Sequence, residues 1–273
     1  MEIAKTAKIG QNVLIRPGAV IEDNVVIGDN CVIDYGAILR ENVTLGPDSF
    51  VGAGCILGEY LADYYTDYVN KYHPLSIGPG ALLRSGTILY GDTRIGEGFS
   101  TGHRVTIREQ TVIGDHVSIG TLSDLQGFCQ VGDWVHMHSN VHIGQKSRIG
   151  NYCWIYPYVV LTNDPTPPSE TLNGVTVEDF AVVCTGSVVL PGLVIGRDAL
   201  VGAGCVVTKD VPAEAVMVGN PGKVRGSVRD VKDPATGQSV YPWRYTFRRG
   251  TPWQDSDYET WARTVQAAIE NDR

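Results

Sequence analysis

The chain has 273 residues, of which 43% are hydrophobic and 19% charged, with a net charge of −8 and a pI near 5.2. An acidic balance disfavours a nucleic-acid partner, which needs a basic face. No apolar run approaches the roughly 18 residues that suggest a membrane span, so no membrane partner is expected either.

The N-terminus enters a repeat at Ile3, which leaves no room for a signal peptide and gives a cytoplasmic expectation. From Ile3 to Val207, 31 positions stepping by six residues in three blocks carry Ile, Leu or Val at 29; Thr101 and Met137 are the exceptions. The residue four places after each aliphatic is usually small or Val, as at Ala19, Val25, Cys31 and Cys205. Two inward positions in six residues make one short strand and one corner, and three such units close a coil of 18 residues stacked by parallel hydrogen bonds. Glycine often follows the aliphatic, as at Gly10, Gly28 and Gly46, where we expect it to supply the positive φ of a corner. The pattern therefore predicts an all-β chain, a parallel β-helix of about ten coils, spanning residues 1–225. Its hand does not follow from the repeat, because the usual crossover rule favours a right-handed connection. Of six cysteines, Cys31, Cys55, Cys129, Cys153 and Cys205 fall on the small inward position, which reads as reduced core filler rather than disulfide or metal ligand.

Two interruptions leave the coil. The first, about 58–76, carries Tyr60, Tyr64, Tyr65, Tyr68 and Tyr72; these pack on the chain's own face, on a neighbouring subunit, or against a ligand's ring. The second, about 162–176, contains Asp164-Pro-Thr-Pro-Pro-Ser, a stiffened projecting loop. Residues 18 apart stack, so Gln145 sits below Asn163 at an outward corner, with Asp164 at the root of the loop. His142 lies on the same face, and His136 and His138 flank Met137 on the preceding one. Amides and a carboxylate on one edge suit an amine and sugar hydroxyls. His142 is either a reserve candidate base or an imidazole in a subunit interface.

Units such as Ile27-Gly-Asp-Asn-Cys and Val201-Gly-Ala-Gly-Cys resemble the left-handed β-helix of the hexapeptide acyltransferases over about residues 3–225. Arg84-Ser-Gly-Thr, Thr101-Gly-His-Arg-Val-Thr-Ile-Arg108-Glu109 and Val160-Leu-Thr-Asn-Asp-Pro resemble the nucleotide-linked amino-sugar N-acetyltransferases, and within them those acting on a dTDP-linked 3-amino-3,6-dideoxyhexose. That resemblance implies an acetyl-CoA-dependent N-acetyltransferase without a metal, serving a glycan precursor such as an O-antigen or S-layer sugar. It implies that Asn163 and Asp164 hold the amino sugar, Asp164 at its amine, with Asn163 and Gln145 orienting the ring, and that the transfer runs without a dedicated general base, the leaving thiolate taking the proton. This chain has Gln145 where those enzymes carry a Glu, which removes a charge and puts the sugar or its amine position in question. Arg84, His103, Arg104 and Arg108 are the candidates for the sugar and its diphosphate; Arg84 and Arg104, 20 apart, are expected on one edge. The string Val201 to Val224 resembles the C-terminal coils that bind coenzyme A, with pantetheine along Gly186 and Ala203 and adenine at Asn220-Pro221-Gly222. Lys209, Lys223 and Arg225 face its phosphates or solvent. The groove in that family lies between neighbouring chains, which implies a homotrimer.

Beyond Arg225 the tail, 226–273, turns aromatic and then helical, with Tyr258, Trp261, Val265 and Ile269 forming an amphipathic stripe. We expect it to cap an open edge of the prism or pack at a subunit boundary. Other readings are an acyltransferase acting on a different amine or hydroxyl, a non-catalytic solenoid, or a γ-type carbonic anhydrase with zinc on His103, His138 and His142.

Overall fold

In the computed structural model, residues 2–66 and 73–271 are described, the side chains of 269–271 excepted. The chain coils into three sheets of 11, 10 and 12 strands, parallel and with each strand paired to the third one after it except at the C-terminal end of the third sheet. This is the parallel β-helix expected from the repeat, left-handed as the resemblance implies and slightly longer than the ten coils counted from sequence. The first face runs from Glu2–Ile3 to Val206–Val207, the second from Lys8–Ile9 to Val194–Ile195, and the third from Leu14–Ile15 to Lys223–Ser227. The last strand of the third face folds back antiparallel onto Ala215–Val218 and closes the C-terminal end of the coil.

Each inward aliphatic stacks on its counterpart one coil away, which fills the prism with one continuous apolar core. Thr101, an exception to the aliphatic rule, is 3% exposed and remains satisfied: its hydroxyl accepts from Arg84 N–H at 3.0 Å and lies 3.0 Å from Thr87 Oγ1. Five cysteines occupy the inward small position as free, buried thiols, and burial pushes Cys129 up to about 11, far from a reactive thiolate.

The glycine expectation needs correcting. A Cβ on Gly28 would lie 2.4 Å from Pro47 N, so glycine after the aliphatic is required by the close approach of the next coil. The positive φ falls two residues later and is carried mainly by other residues, such as Asn12, Asn24, Asn30 and Asn42. Their amides then stack up the corner, Asn12 donating to Asn30 and Asn24 to Asn42.

In the first insertion, Tyr60 and Tyr64 stack with ring centroids 3.7 Å apart. The Arg40 guanidinium sits 4.1 Å from the Tyr60 ring centroid and donates to Glu22 at 2.9 Å. These tyrosines pack on the chain's own corner; Tyr68 and Tyr72 lie outside the described residues.

Beyond Gly226 and Ser227, which complete the last strand of the third face, the tail lies along a face of the prism rather than over its open end. On the third face the outward column becomes Trp154, Val182, Leu200 and Val216, and the tail lies across that surface. Trp253 is fully buried there, Trp243 Nε1 donates to Phe180 O at 2.9 Å, and Arg244 pairs with Asp198 beneath the aromatic rings. The helix spans Tyr258–Asn271; Tyr258 and Trp261 join this cluster, Val265 is exposed, and the Ile269 side chain lies outside the described residues.

Candidate active site

The outward column of the first face reads Glu2, Val20, Ile38, Ile56, Ile88, Thr106, Asp124, His142, Val160, Val188 and Val206. Asp124 and His142 are Cα partners in adjacent strands, and parallel stacking brings His142 Nδ1 to 3.1 Å from Asp124 Oδ2. The Gln126 amide donates to the same carboxylate oxygen. Burial would raise the Asp124 pKa, but the bonds from His142 and Gln126 and the nearby Arg108 charge outweigh it and hold the pKa below the ordinary value. An ionised Asp124 favours the imidazole tautomer with its proton on Nδ1, which leaves Nε2 as the basic nitrogen. Nε2 has no protein partner among the described residues, and the His142 side chain is 43% exposed.

Arg108 begins the corner beyond Thr106–Ile107. Its guanidinium forks onto Glu109, with contacts of 3.1 and 2.8 Å, and lies 5.9 Å from the Tyr90 ring centroid. It therefore belongs to the His142 face.

Gln145 and Asn163 meet at the next corners of this edge, as the 18-residue stacking requires: a Cβ on Gly144 would lie 3.1 Å from that of Asn163. Both amides are half-buried and have no protein hydrogen bond among the described residues. The Asn163 carbonyl accepts from Asn173 N–H at 2.7 Å, which pinches the base of the projecting loop. Asp164 organises that loop. Its carboxylate accepts from Thr166 N–H at 3.1 Å, Ser169 N–H at 2.9 Å and Ser169 O–H at 2.6 Å, bonds that pull its pKa down, the Ser169 side chain most of all. Three of its roughly four acceptor positions are thus occupied within the loop.

Arg84, His103 and Arg104 occupy the preceding edge, between the third and first faces. A Cβ on Gly86 would lie 3.2 Å from Arg104 Cγ, so Arg84 and Arg104 do lie on one edge, apart from Arg108. Gly186, with φ of +69°, lies on the same edge higher up, stacked one coil below Gly204, and a Cβ there would meet nothing within 4 Å. Ala203 adjoins Gly204 and is exposed. The turn Asn220-Pro221 follows on the end of the first face, where Gly222 N–H donates to Val206 O at 2.8 Å. Lys209, Lys223 and Arg225 are all exposed around it.

Among the described residues no group of three or more His, Cys, Asp or Glu is placed to hold a metal ion, and His103, His138 and His142 lie on different elements of the coil. No helix among them is long and apolar enough to cross a membrane. The residues missed from sequence are Asp124 and Gln126. The signal was available, because 124 and 142 differ by one coil.

Models of the bacterial transferase hexapeptide (six repeats) and of the hexapeptide repeat of succinyl-transferase match residues 6–40 and 187–209. Those two segments of the chain carry hexapeptide repeats of this type. A 2,3,4,5-tetrahydropyridine-2,6-dicarboxylate N-acetyltransferase of Staphylococcus aureus (strain JH9) is 36% identical over 94 residues, 34% of this chain and 34% of that protein. The hexapeptide-repeat chain thus matches about a third of the length of that curated relative. Among solved structures, a UDP-N-acetylglucosamine acyltransferase from Campylobacter jejuni superposes with a TM-score of 0.48 at 18% identity, covering 92% of this chain and 84% of that one. The Arabidopsis UDP-N-acetylglucosamine acyltransferase gives 0.44 at 19%, covering 83% and 72%. At these values the superpositions add nothing to the topology already described.

Proposed function

We propose that this hexapeptide-repeat protein is an N-acetyltransferase that moves an acetyl group from acetyl-CoA to the amine of a nucleotide-linked amino sugar. The dTDP-linked 3-amino-3,6-dideoxyhexose of the motif resemblance is the first acceptor to test. The observation that carries the reading is the Asp124–His142 pair, with Nε2 of an outward histidine free beside two uncommitted amides. His142 Nε2 removes a proton from the acceptor amine as its nitrogen attacks the thioester carbonyl. The tetrahedral intermediate then collapses, the C–S bond breaks, and the thiolate receives the proton from His142. Ionised Asp124 stabilises the imidazolium formed between those steps. Gln145 and Asn163 orient the sugar, and Asp164 keeps the loop folded beside them.

Coenzyme A lies along the open edge at Gly186 and Ala203 and turns at Asn220-Pro221, where Lys209, Lys223 and Arg225 meet its phosphates. The sugar diphosphate approaches Arg84, His103, Arg104 or Arg108. The apolar stretches of the first-face column, Val20 to Ile88 and Val160 to Val206, support a homotrimer in which a second copy covers this face. Light scattering tests that directly, since the assembly would have three times the 29.6 kDa chain mass.

The 94-residue likeness to an enzyme named for a dicarboxylate favours a second reading, in which the acceptor is an amino-acid-like amine. Thiol release from acetyl-CoA across dTDP- and UDP-linked 3-amino and 4-amino sugars and the dicarboxylate decides between them. Silence with every amine, while acetyl-CoA still binds, would remove the amino-transfer reading.

A further inference from the structure

The tail does more than cover the third face, because between them it leaves a cleft of about 490 Å³, a size typical of small-molecule sites. Its walls are Trp154, Tyr156, Tyr241, Trp243 and Phe247, with Arg249 at the rim. Trp154 and His138 also line a second cavity, which runs down the third face past Ser118 and Ser100 to Arg84, so the two spaces share a wall.

Three features of this region point the same way. First, the chain carries 30 acidic against 22 basic residues, yet no Asp or Glu lines either cavity. Arg84 and Arg249 are exposed, and neither guanidinium has a carboxylate partner among the described residues. Such segregation of charge selects an anion. Second, the walls are aromatic, and burial pushes the Tyr241 hydroxyl up to about 12 and Tyr156 upward as well, so both phenols stay neutral donors at physiological pH. Third, of the three indoles lining or flanking the cleft, Trp243 and Trp253 donate to Phe180 O and Phe247 O. Trp154 Nε1, in the shared wall, is buried without an acceptor. An orphan buried donor costs about 1–3 kcal/mol, which a ligand carbonyl oxygen would relieve once the ring turns its edge toward the cavity.

We propose that this cleft is a nucleotide site, in which a base ring enters between the aromatic walls and its diphosphate lies toward Arg249 and the serine-lined groove ending at Arg84. Flat rings, one unsatisfied donor and free cations without acids fit a nucleoside diphosphate better than a neutral or cationic ligand. Both proposed substrates of the acyl transfer carry this chemistry, and only that choice of source rests on the transferase reading. Binding is measured without turnover, so the two inferences can fail separately.

The test is calorimetric titration of the full chain with dTDP and UDP, and separately with 3′-phosphoadenosine 5′-diphosphate, the nucleotide of coenzyme A. Trp154→Phe keeps a ring and removes the N–H; Arg249→Gln removes a surface charge without touching the core. Each should weaken the occupant by about five- to tenfold, the worth of one hydrogen bond or charge contact. Loss confined to dTDP or UDP assigns the cleft to the acceptor, and loss confined to the adenosine nucleotide assigns it to the donor, whose nucleotide end would then lie here rather than at Asn220-Pro221. Either result supports a nucleotide site. The proposal is overturned if none of the three nucleotides binds, or if Arg249→Gln in a folded protein binds all three as wild type does.

Discussion

The first and third faces share one interior and differ only in the residue before each inward aliphatic. On the third face that column passes from Leu82 through Ser100, Ser118 and His136 to Trp154, Val182 and Leu200, and the chain's own tail covers the apolar part. On the first face it starts at the exposed Glu2, is apolar from Val20 to Ile88 and from Val160 to Val206, and is polar at Thr106, Asp124 and His142, and no segment comparable to the tail covers it among the described residues. The comparison teaches that the repeat specifies the scaffold and leaves the outward column free to differ between faces, because that column has no bearing on whether the coil closes. Changes to the two columns should therefore separate cleanly into lost activity and lost stability.

The largest separation comes from His142→Ala. On the first face it should leave the unfolding midpoint close to that of wild type and lower kcat by about 10²- to 10⁴-fold, the usual contribution of a general base. Unchanged kcat would return His142 to the role of an interface residue. The opposite behaviour is expected of Trp253→Ala on the tail. Emptying a fully buried indole should cost about 3–5 kcal/mol by denaturant titration, with amine transfer at 25 °C retained in the fraction that stays folded.

The difference between the faces also explains what the sequence conveyed. The coil was legible because one short-range rule, an aliphatic every six residues, is repeated often enough to outweigh its exceptions. The same arithmetic placed Gln145 under Asn163 and put Arg84 and Arg104 on one edge. It was not carried down the outward column, and so the Asp124–His142 pair was missed. Corner glycines were misread because the constraint on Gly28 is the backbone of another coil, which local conformational preference does not report. The position of the tail was illegible for a different reason: its aromatic residues specify an apolar partner but not which face supplies it, and Trp154, Val182 and Leu200 stand far from it in sequence.

Asp124→Asn should have a smaller effect, since it keeps the shape of the pair and removes the charge that stabilises an imidazolium. A fall in kcat of about tenfold is expected, with little change in KM. The substitution also carries a pH signature. The native Asp124 pKa is depressed below its unfolded value of about 3.9, so its stabilising contribution is complete above that pH and is lost as pH falls through the native value. The stability gap between wild type and Asp124→Asn should thus narrow on acidification below about pH 4. A gap that widens in acid would show that burial, rather than the bonds from His142 and Gln126, governs this carboxylate.

The smallest change expected at this edge is that of Asp164→Asn, and it distinguishes two roles for one residue. The loop's own groups occupy three acceptor positions of Asp164, so its principal effect should be on loop order: KM for the acceptor rises about three- to fivefold, and kcat stays within about a factor of two, as for loss of uniform binding. Holding the amine, the role implied by resemblance, demands instead a fall in kcat of about tenfold or more, because the contact would persist into the transition state. Ser169→Ala completes the comparison. It removes the 2.6 Å bond to Asp164 while leaving the carboxylate in place, so it should reproduce the KM effect if the loop is what matters and leave kinetics near wild type if the carboxylate itself meets the substrate.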